Sequence, residues 1–249
     1  MEYYRLILYF IFGVLPSITW LLYYLSKDLH PEPKKMILKI FIYGSLVTIP
    51  VFFIQISLAE LLKQFQFSPF FIHFPIFIDL IKWFIIIALT EELFKYFVVK
   101  VAVFGSSALD EPLDIMLYMV VAALGFAALE NILYLFSPLD GVPFNTVIKT
   151  TIIISFIRFI GATFLHTLCS AILGYFVVLS FCKAKKRLPL TLAGILAATF
   201  LHGLYNFSII ALKSPANFII PIGIVLSLAV LVIYAFDEVK KLNSTCKLN

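Results

Sequence analysis

The chain has 249 residues, 62% of them hydrophobic and only 13% charged, with a mean hydropathy of +1.05. A soluble domain carries about 45–50% apolar and about 25% charged residues, so a single water-soluble core is excluded. The net charge of +5 comes without any polybasic block interleaved with aromatic residues, which leaves nucleic acid out as a partner.

Apolar runs long enough to cross a bilayer recur from end to end and predict an all-α polytopic membrane bundle of about seven transmembrane helices in one domain, 1–249. Helices are required because backbone exposed to lipid must satisfy its own hydrogen bonds, and the runs lack the alternation of a β-barrel. The first run, 3–25, is longer than the apolar core of a signal peptide, and no small-residue cleavage site follows it. It reads as a retained span. The connection "SKDLHPEPKK" then brings Lys27, Lys34 and Lys35.

The second run covers 36–62 and the third 76–103, the latter with "TEELFKYF" in its middle. The acidic loop "GSSALDEPLD" leads to the fourth, 115–137. The fifth covers 152–182, and 147–157 could form a separate interfacial piece. The sixth and seventh cover 188–212 and 217–236. Lys183, Lys185, Lys186 and Arg187 follow the fifth run, and Lys240, Lys241 and Lys247 lie in the tail, whereas Lys63, Lys149 and Lys213 stand nearly alone in the alternate loops. This asymmetry places the chain in the cell membrane with the N-terminus outside and the C-terminus cytoplasmic. Cys169, Cys182 and Cys246 form an odd set without a C-x-x-C pair, so neither a disulfide framework nor a thiolate metal site is expected.

A charged residue at the centre of a membrane helix costs about 2.5–3.5 kcal/mol, so the ionisable residues within these runs need a reason. Glu91 and Lys95 are four apart and share a helix face, where they can pair. Glu92 is rotated about 100° away and is not neutralised in the same way. Glu130 and Asn131 lie in the fourth run with no base within a helical turn of Glu130. His166 lies in the fifth run, two turns after Arg158, and His202 and Asn206 share a face of the sixth. Each has a plain structural explanation as an ion pair or an interhelical hydrogen bond. Together, three glutamates and two histidines on four helices suit a water-activating centre, with or without a metal.

The order E-E-x-x-K, F-x-x-x-E-N, an intramembrane His, and H-x-x-Y-[DN]-F resembles that of PrsW-type intramembrane proteases. Here it is Glu91-Glu92 with Lys95, Phe126 with Glu130-Asn131, His166, and His202 with Asn206. "KDLHPEP" and "DEPLDIMLY", with Asp114 and Tyr118, resemble that family's flanking features, and the likeness runs from about Leu25 to Phe207. The resemblance implies an intramembrane endopeptidase acting on membrane-anchored proteins, with the first cut of an anti-sigma factor as the family's best-known role. It implies Glu91 or Glu92 as general base, Glu130 holding water or metal, and His166 and His202 orienting water, binding metal or polarising the scissile carbonyl. Lys95, Asn131 and Arg158 would support them. Glu130, His166 and His202 could hold Zn²⁺ with an open water position, and the same groups could activate water without it. Many family members have aspartate where this chain has Asn206, a neutral donor suited to an oxyanion. The rival reading is a proton-coupled transporter using the same buried groups, against which stands the lack of an inverted repeat.

Overall fold

The computed structural model describes residues 2–27, 30–136 and 142–242. Asp28, Cys246, Lys247 and the expected end of the fourth run at 137 lie outside them. The described chain is an all-α membrane bundle. Six helical stretches are long and apolar enough to cross a membrane: Tyr3–Leu25, Lys34–Phe65, Pro112–Leu135, Phe144–Cys182, Ala184–Ala211 and Ala216–Leu242.

The expected third run is also helical from 76 to 102, but it is divided into α4 (Ile76–Leu80), a π-helical segment (Ile81–Leu89) and α5 (Thr90–Ala102). With Asp79, Lys82, Glu91, Glu92, Lys95 and Lys100 it carries too many ionisable residues to pass as a span on composition. The expected fifth run and the segment before it merge into one helix. α7 (Phe144–Arg158) continues through a π segment (Phe159–Thr163) into α8 (Phe164–Cys182), so 147–157 is not a separate piece. The remaining long helices are α1 (Glu2–Leu25), α2 (Lys34–Phe65), α6 (Pro112–Leu135), α9 (Arg187–Ala211) and α10 (Ala216–Leu242), with a short α3 (Pro69–His73) between α2 and α4.

α6 is the axis of the bundle. In its most apolar stretch 89% of the residues are buried, against 22% in α1 and 28% in α10. It packs against α1, α2 and α8. An outer belt of large apolar side chains, such as Phe10, Phe53 and Ile233, stays exposed. Water would penalise such a belt, and hydrocarbon does not.

The α2–α6 contact is close enough for backbones to touch. A Cβ on Gly44 would lie 2.2 Å from the Ala122 carbonyl oxygen, and one on Gly125 would lie 2.0 Å from that of Phe41. Ser45 donates to the Gly125 carbonyl at 2.7 Å and Thr48 to that of Phe126 at 3.3 Å. Small residues and hydroxyls at an interface are what membrane helices use in place of hydrophobic association.

At one end of the bundle the flanking motifs meet. Tyr118 donates to Glu32. The Asp114 carboxylate accepts the backbone N–H of Asp110 at 3.1 Å and of Glu111 at 2.7 Å, closing the N-terminus of α6 with a capping box. Cys169 is buried and free, whereas Cys182 is disulfide-bonded, a correction to the expectation drawn from the odd count.

Candidate functional site

Two π segments set the phase of the polar residues. The first ends immediately before Thr90, whose hydroxyl bonds back to the carbonyls of Ile86 at 2.6 Å and Ile87 at 2.9 Å. The second lies between Arg158 and His166. Such widened turns redirect the side chains that follow them and occur at functional sites. Gly203, next to His202, lets α9 close on the first π segment, for a Cβ there would lie 3.1 Å from the Phe84 Cα.

All five expected ionisable residues meet between α5, α6, α8 and α9. The fully buried Lys95 ammonium donates to Glu92 Oε1 at 2.7 Å and to His166 Nδ1 at 2.8 Å, and it lies 3.6 Å from Glu91 Oε2. It also sits over the Phe126 ring, 4.7 Å from its centroid. The expected pairing is thereby reversed. Glu92, three residues before Lys95, makes the tight bond, and Glu91, four before it, does not. Glu91 lies one residue further back along the helix, and the bond to His166 holds the ammonium toward α8.

Glu92 is saturated, since Oε1 also accepts from His202 Nδ1 at 2.9 Å and Oε2 from the Ser170 hydroxyl at 3.3 Å. Glu130 Oε2 accepts from His166 Nε2 at 2.9 Å and from Arg158 Nη2 at 2.7 Å. Arg158 further donates to Asn131 Oδ1, and Asn131 donates to the Gly13 carbonyl at 3.2 Å and Thr163 Oγ1 at 3.1 Å. Arg158 and Asn131 thus fasten α1, α6 and the second π segment around Glu130.

Each imidazole is held from behind by a carboxylate, which accepts only and so assigns the proton to the nitrogen facing it. That leaves Nε2 of His202 and Nδ1 of His166 turned the other way, each 3.9 Å from Glu91 Oε2. This oxygen is buried without a hydrogen-bond partner, while Glu91 Oε1 accepts from Gln55 at 3.1 Å.

Donor atoms of Glu91, His166 and His202 lie within 4.8 Å of one another. The expected metal-holding set had Glu130 in place of Glu91, but the Glu130 carboxylate is committed to Arg158 and to the far side of His166. One carboxylate and two imidazoles backed by carboxylates fit Zn²⁺, and Glu91 Oε2, which has no hydrogen-bond partner, gives such an ion a buried anionic ligand. The Lys95 ammonium is the group that a cation at His166 Nδ1 would displace.

The groups face a cavity of about 480 Å³ lined also by Gln55, Trp83 and Asn206. Gln55 and Ser170 escaped the sequence reading. A lone amide in "VFFIQISL" was the available signal for Gln55, whereas serine is too common in membrane helices to mark Ser170.

The chain matches the model of a family described as PrsW family intramembrane metalloprotease over residues 32–236. It is similar to the protein named Protease PrsW of Oceanobacillus iheyensis, 33% identical over 200 residues, which cover 78% of this chain and 80% of that one. The namesake from Geobacillus kaustophilus is 33% identical over 200 residues, covering 80% and 78%. That of Bacillus subtilis is 29% identical over 211 residues, covering 84% and 86%. No solved structure gives a significant match.

Proposed function

The chain belongs to the PrsW family of intramembrane metalloproteases, and on that premise we propose that it cuts single-span membrane proteins at a peptide bond presented to Glu91. The reading rests above all on Glu91 Oε2, a buried carboxylate oxygen without a hydrogen-bond partner, 3.6 Å from the Lys95 ammonium and faced by two imidazole nitrogens at 3.9 Å. Family membership sets the transporter reading aside.

In this proposal a water sits among Glu91 Oε2, His166 Nδ1 and His202 Nε2, and Glu91 takes its proton as the oxygen attacks the scissile carbonyl. Gln55 holds the other Glu91 oxygen still. Glu92 keeps His202 in the tautomer that turns its Nε2 lone pair toward the water, and Glu130 keeps His166 in the tautomer whose Nδ1 accepts from Lys95 beside it, a preorganisation worth about 10–100-fold when outer partners of this kind are lost. Asn206, in the wall of the same cavity, donates to the developing oxyanion. Glu91, His166 and His202 would hold a Zn²⁺ ion, which supplies Lewis acidity and makes bound water more acidic.

Lys-rich connections put the N-terminus outside and the C-terminus in the cytoplasm. Glu130 is five residues from the Leu135 end of α6, about 8 Å along the axis. In that orientation the cut falls in the outer half of the bilayer, which suits the first cleavage of a membrane-bound regulator such as an anti-sigma factor.

Co-expression with a single-span reporter tests the reading. Glu91→Gln should remain in the membrane and release no fragment, because the amide cannot accept the water's proton, and losses of several orders of magnitude are typical of a catalytic unit. Fragment release at near the wild-type rate would remove Glu91 from the base role.

A further inference from the structure

A second and larger cavity, of about 660 Å³, lies between α1, α6, α8 and α10. It is on the opposite face of α8 from His166, for Phe164 and Leu168 line it whereas Leu165 and His166 line the first. Its wall is smooth and aromatic. The Trp20 ring stacks on Phe164 with centroids 4.1 Å apart and planes 5° apart, and on Phe159 at 5.3 Å.

The polar groups of that wall are already engaged. Trp20 Nε1 donates to the Phe159 carbonyl at 2.9 Å, and the Tyr24 hydroxyl bonds Thr167 at 3.1 Å. An extended peptide would find no partner for its backbone there. A helix is about 10–12 Å across with its side chains, and only about one to one and a half turns of one would fill about 660 Å³. A flexible hydrocarbon chain meets neither obstacle.

The mouth is charged. Lys27, Asp237 and Lys240 line it at the ends of α1 and α10, and Asp114 lines it from α6. The Asp114 carboxylate is taken up by the backbone N–H groups of Asp110 and Glu111. Among the described residues none of the other three has an ion-pair partner, and Lys27 lies only over the Tyr23 ring at 5.5 Å. Two cations beside the one uncommitted carboxylate, Asp237, complement a phosphate that carries an ammonium group. Basic pockets between membrane helices on the lysine-rich side bind lipid phosphates of anionic headgroups, and the added carboxylate here favours a headgroup that also carries a cation.

We propose that this cavity is a phosphatidylethanolamine site. An acyl chain lies along Trp20 and Phe164, the phosphate sits between Lys27 and Lys240, and the ethanolamine ammonium faces Asp237. The bound chain supports α8 from the side opposite His166.

The test is lipid retention by the purified full chain. Delipidated protein is exchanged into nanodiscs or detergent containing phosphatidylethanolamine, phosphatidylcholine or phosphatidylglycerol, and bound lipid is counted by native mass spectrometry. One phosphatidylethanolamine should be retained in preference to phosphatidylcholine. Retention should fall roughly tenfold or more in the Lys27→Ala/Lys240→Ala double variant. Asp237→Asn should remove the preference over phosphatidylglycerol. Ala229→Phe, in the cavity wall on α10, should block the chain while leaving the headgroup charges in place. Equal retention of all three lipids, retention indifferent to these variants, or photocrosslinking from Ala229 to a substrate helix instead of to lipid would each overturn the proposal.

Discussion

Lys95 is the residue on which the polar centre turns. Its ammonium is fully buried and meets Glu92, Glu91 and His166 at once. In Lys95→Met the two adjacent carboxylates would share an apolar interior with no cation within a turn of them on α5, and breaking a buried pair in this way costs about 3–5 kcal/mol. His202→Ala is milder, because Glu92 keeps Lys95 at 2.7 Å and Ser170 at 3.3 Å. Its cost should be about 1–3 kcal/mol for one lost hydrogen bond and a small cavity. Thermal unfolding in detergent should therefore place Lys95→Met well below His202→Ala, while cleavage of a reporter should be absent from His202→Ala even where it is folded. An active His202→Ala protein would take α9 out of the mechanism.

Among the elements, α2 and α6 have the least room to adjust. The Gly44 Cα faces the Ala122 carbonyl so closely that an added methyl group would stand 2.2 Å from backbone oxygen, which has no rotamer to escape into. Gly44→Ala should push the helices apart and strip the Ser45 and Thr48 bonds to α6, for a loss of about 1–3 kcal/mol. At Gly223 nothing lies within 4 Å of the position a Cβ would take, so Gly223→Ala is the matched control and should unfold at or above the wild-type temperature. If the two variants melt together, the α2–α6 contact does not limit stability. The π segments act at the same scale. By widening the turns before Glu91 and before His166 they let one helix serve two environments, apolar toward lipid and polar toward the centre.

For the whole molecule, the decisive quantity is which way the bundle faces. Lys27, Lys34, Lys35, the cluster from Lys183 to Arg187, and Lys240 and Lys241 all lie at one end, and Glu130 lies toward the other. A fluorescent protein fused after the C-terminus should therefore fold and fluoresce, whereas alkaline phosphatase fused there should be inactive and fused ahead of Met1 active. The opposite pattern would move the proposed cut to the cytoplasmic half and disconnect it from first-step cleavage.

Much of this protein was legible in its residues taken singly. Long apolar runs name membrane helices because the bilayer gives the backbone no other partner, and each intramembrane charge announces itself by its insertion cost. Glu91, Glu92, Lys95, Glu130, His166 and His202 stood out for that reason before any contact was known. Partnership was not legible. Helical spacing paired Lys95 with Glu91, but the ammonium is held by Glu92 and by His166, 71 positions away in sequence. The family resemblance offered Glu130 as the third member with the two histidines, whereas the packed helices put Glu91 beside them and turn Glu130 toward Arg158. Gln55 and Ser170 carried too little charge to be noticed. The cost of burying a group belongs to the residue alone and can be read from sequence. The identity of its partner depends on how π turns rotate the helices and on how closely glycines let them approach, and only the tertiary structure decides that.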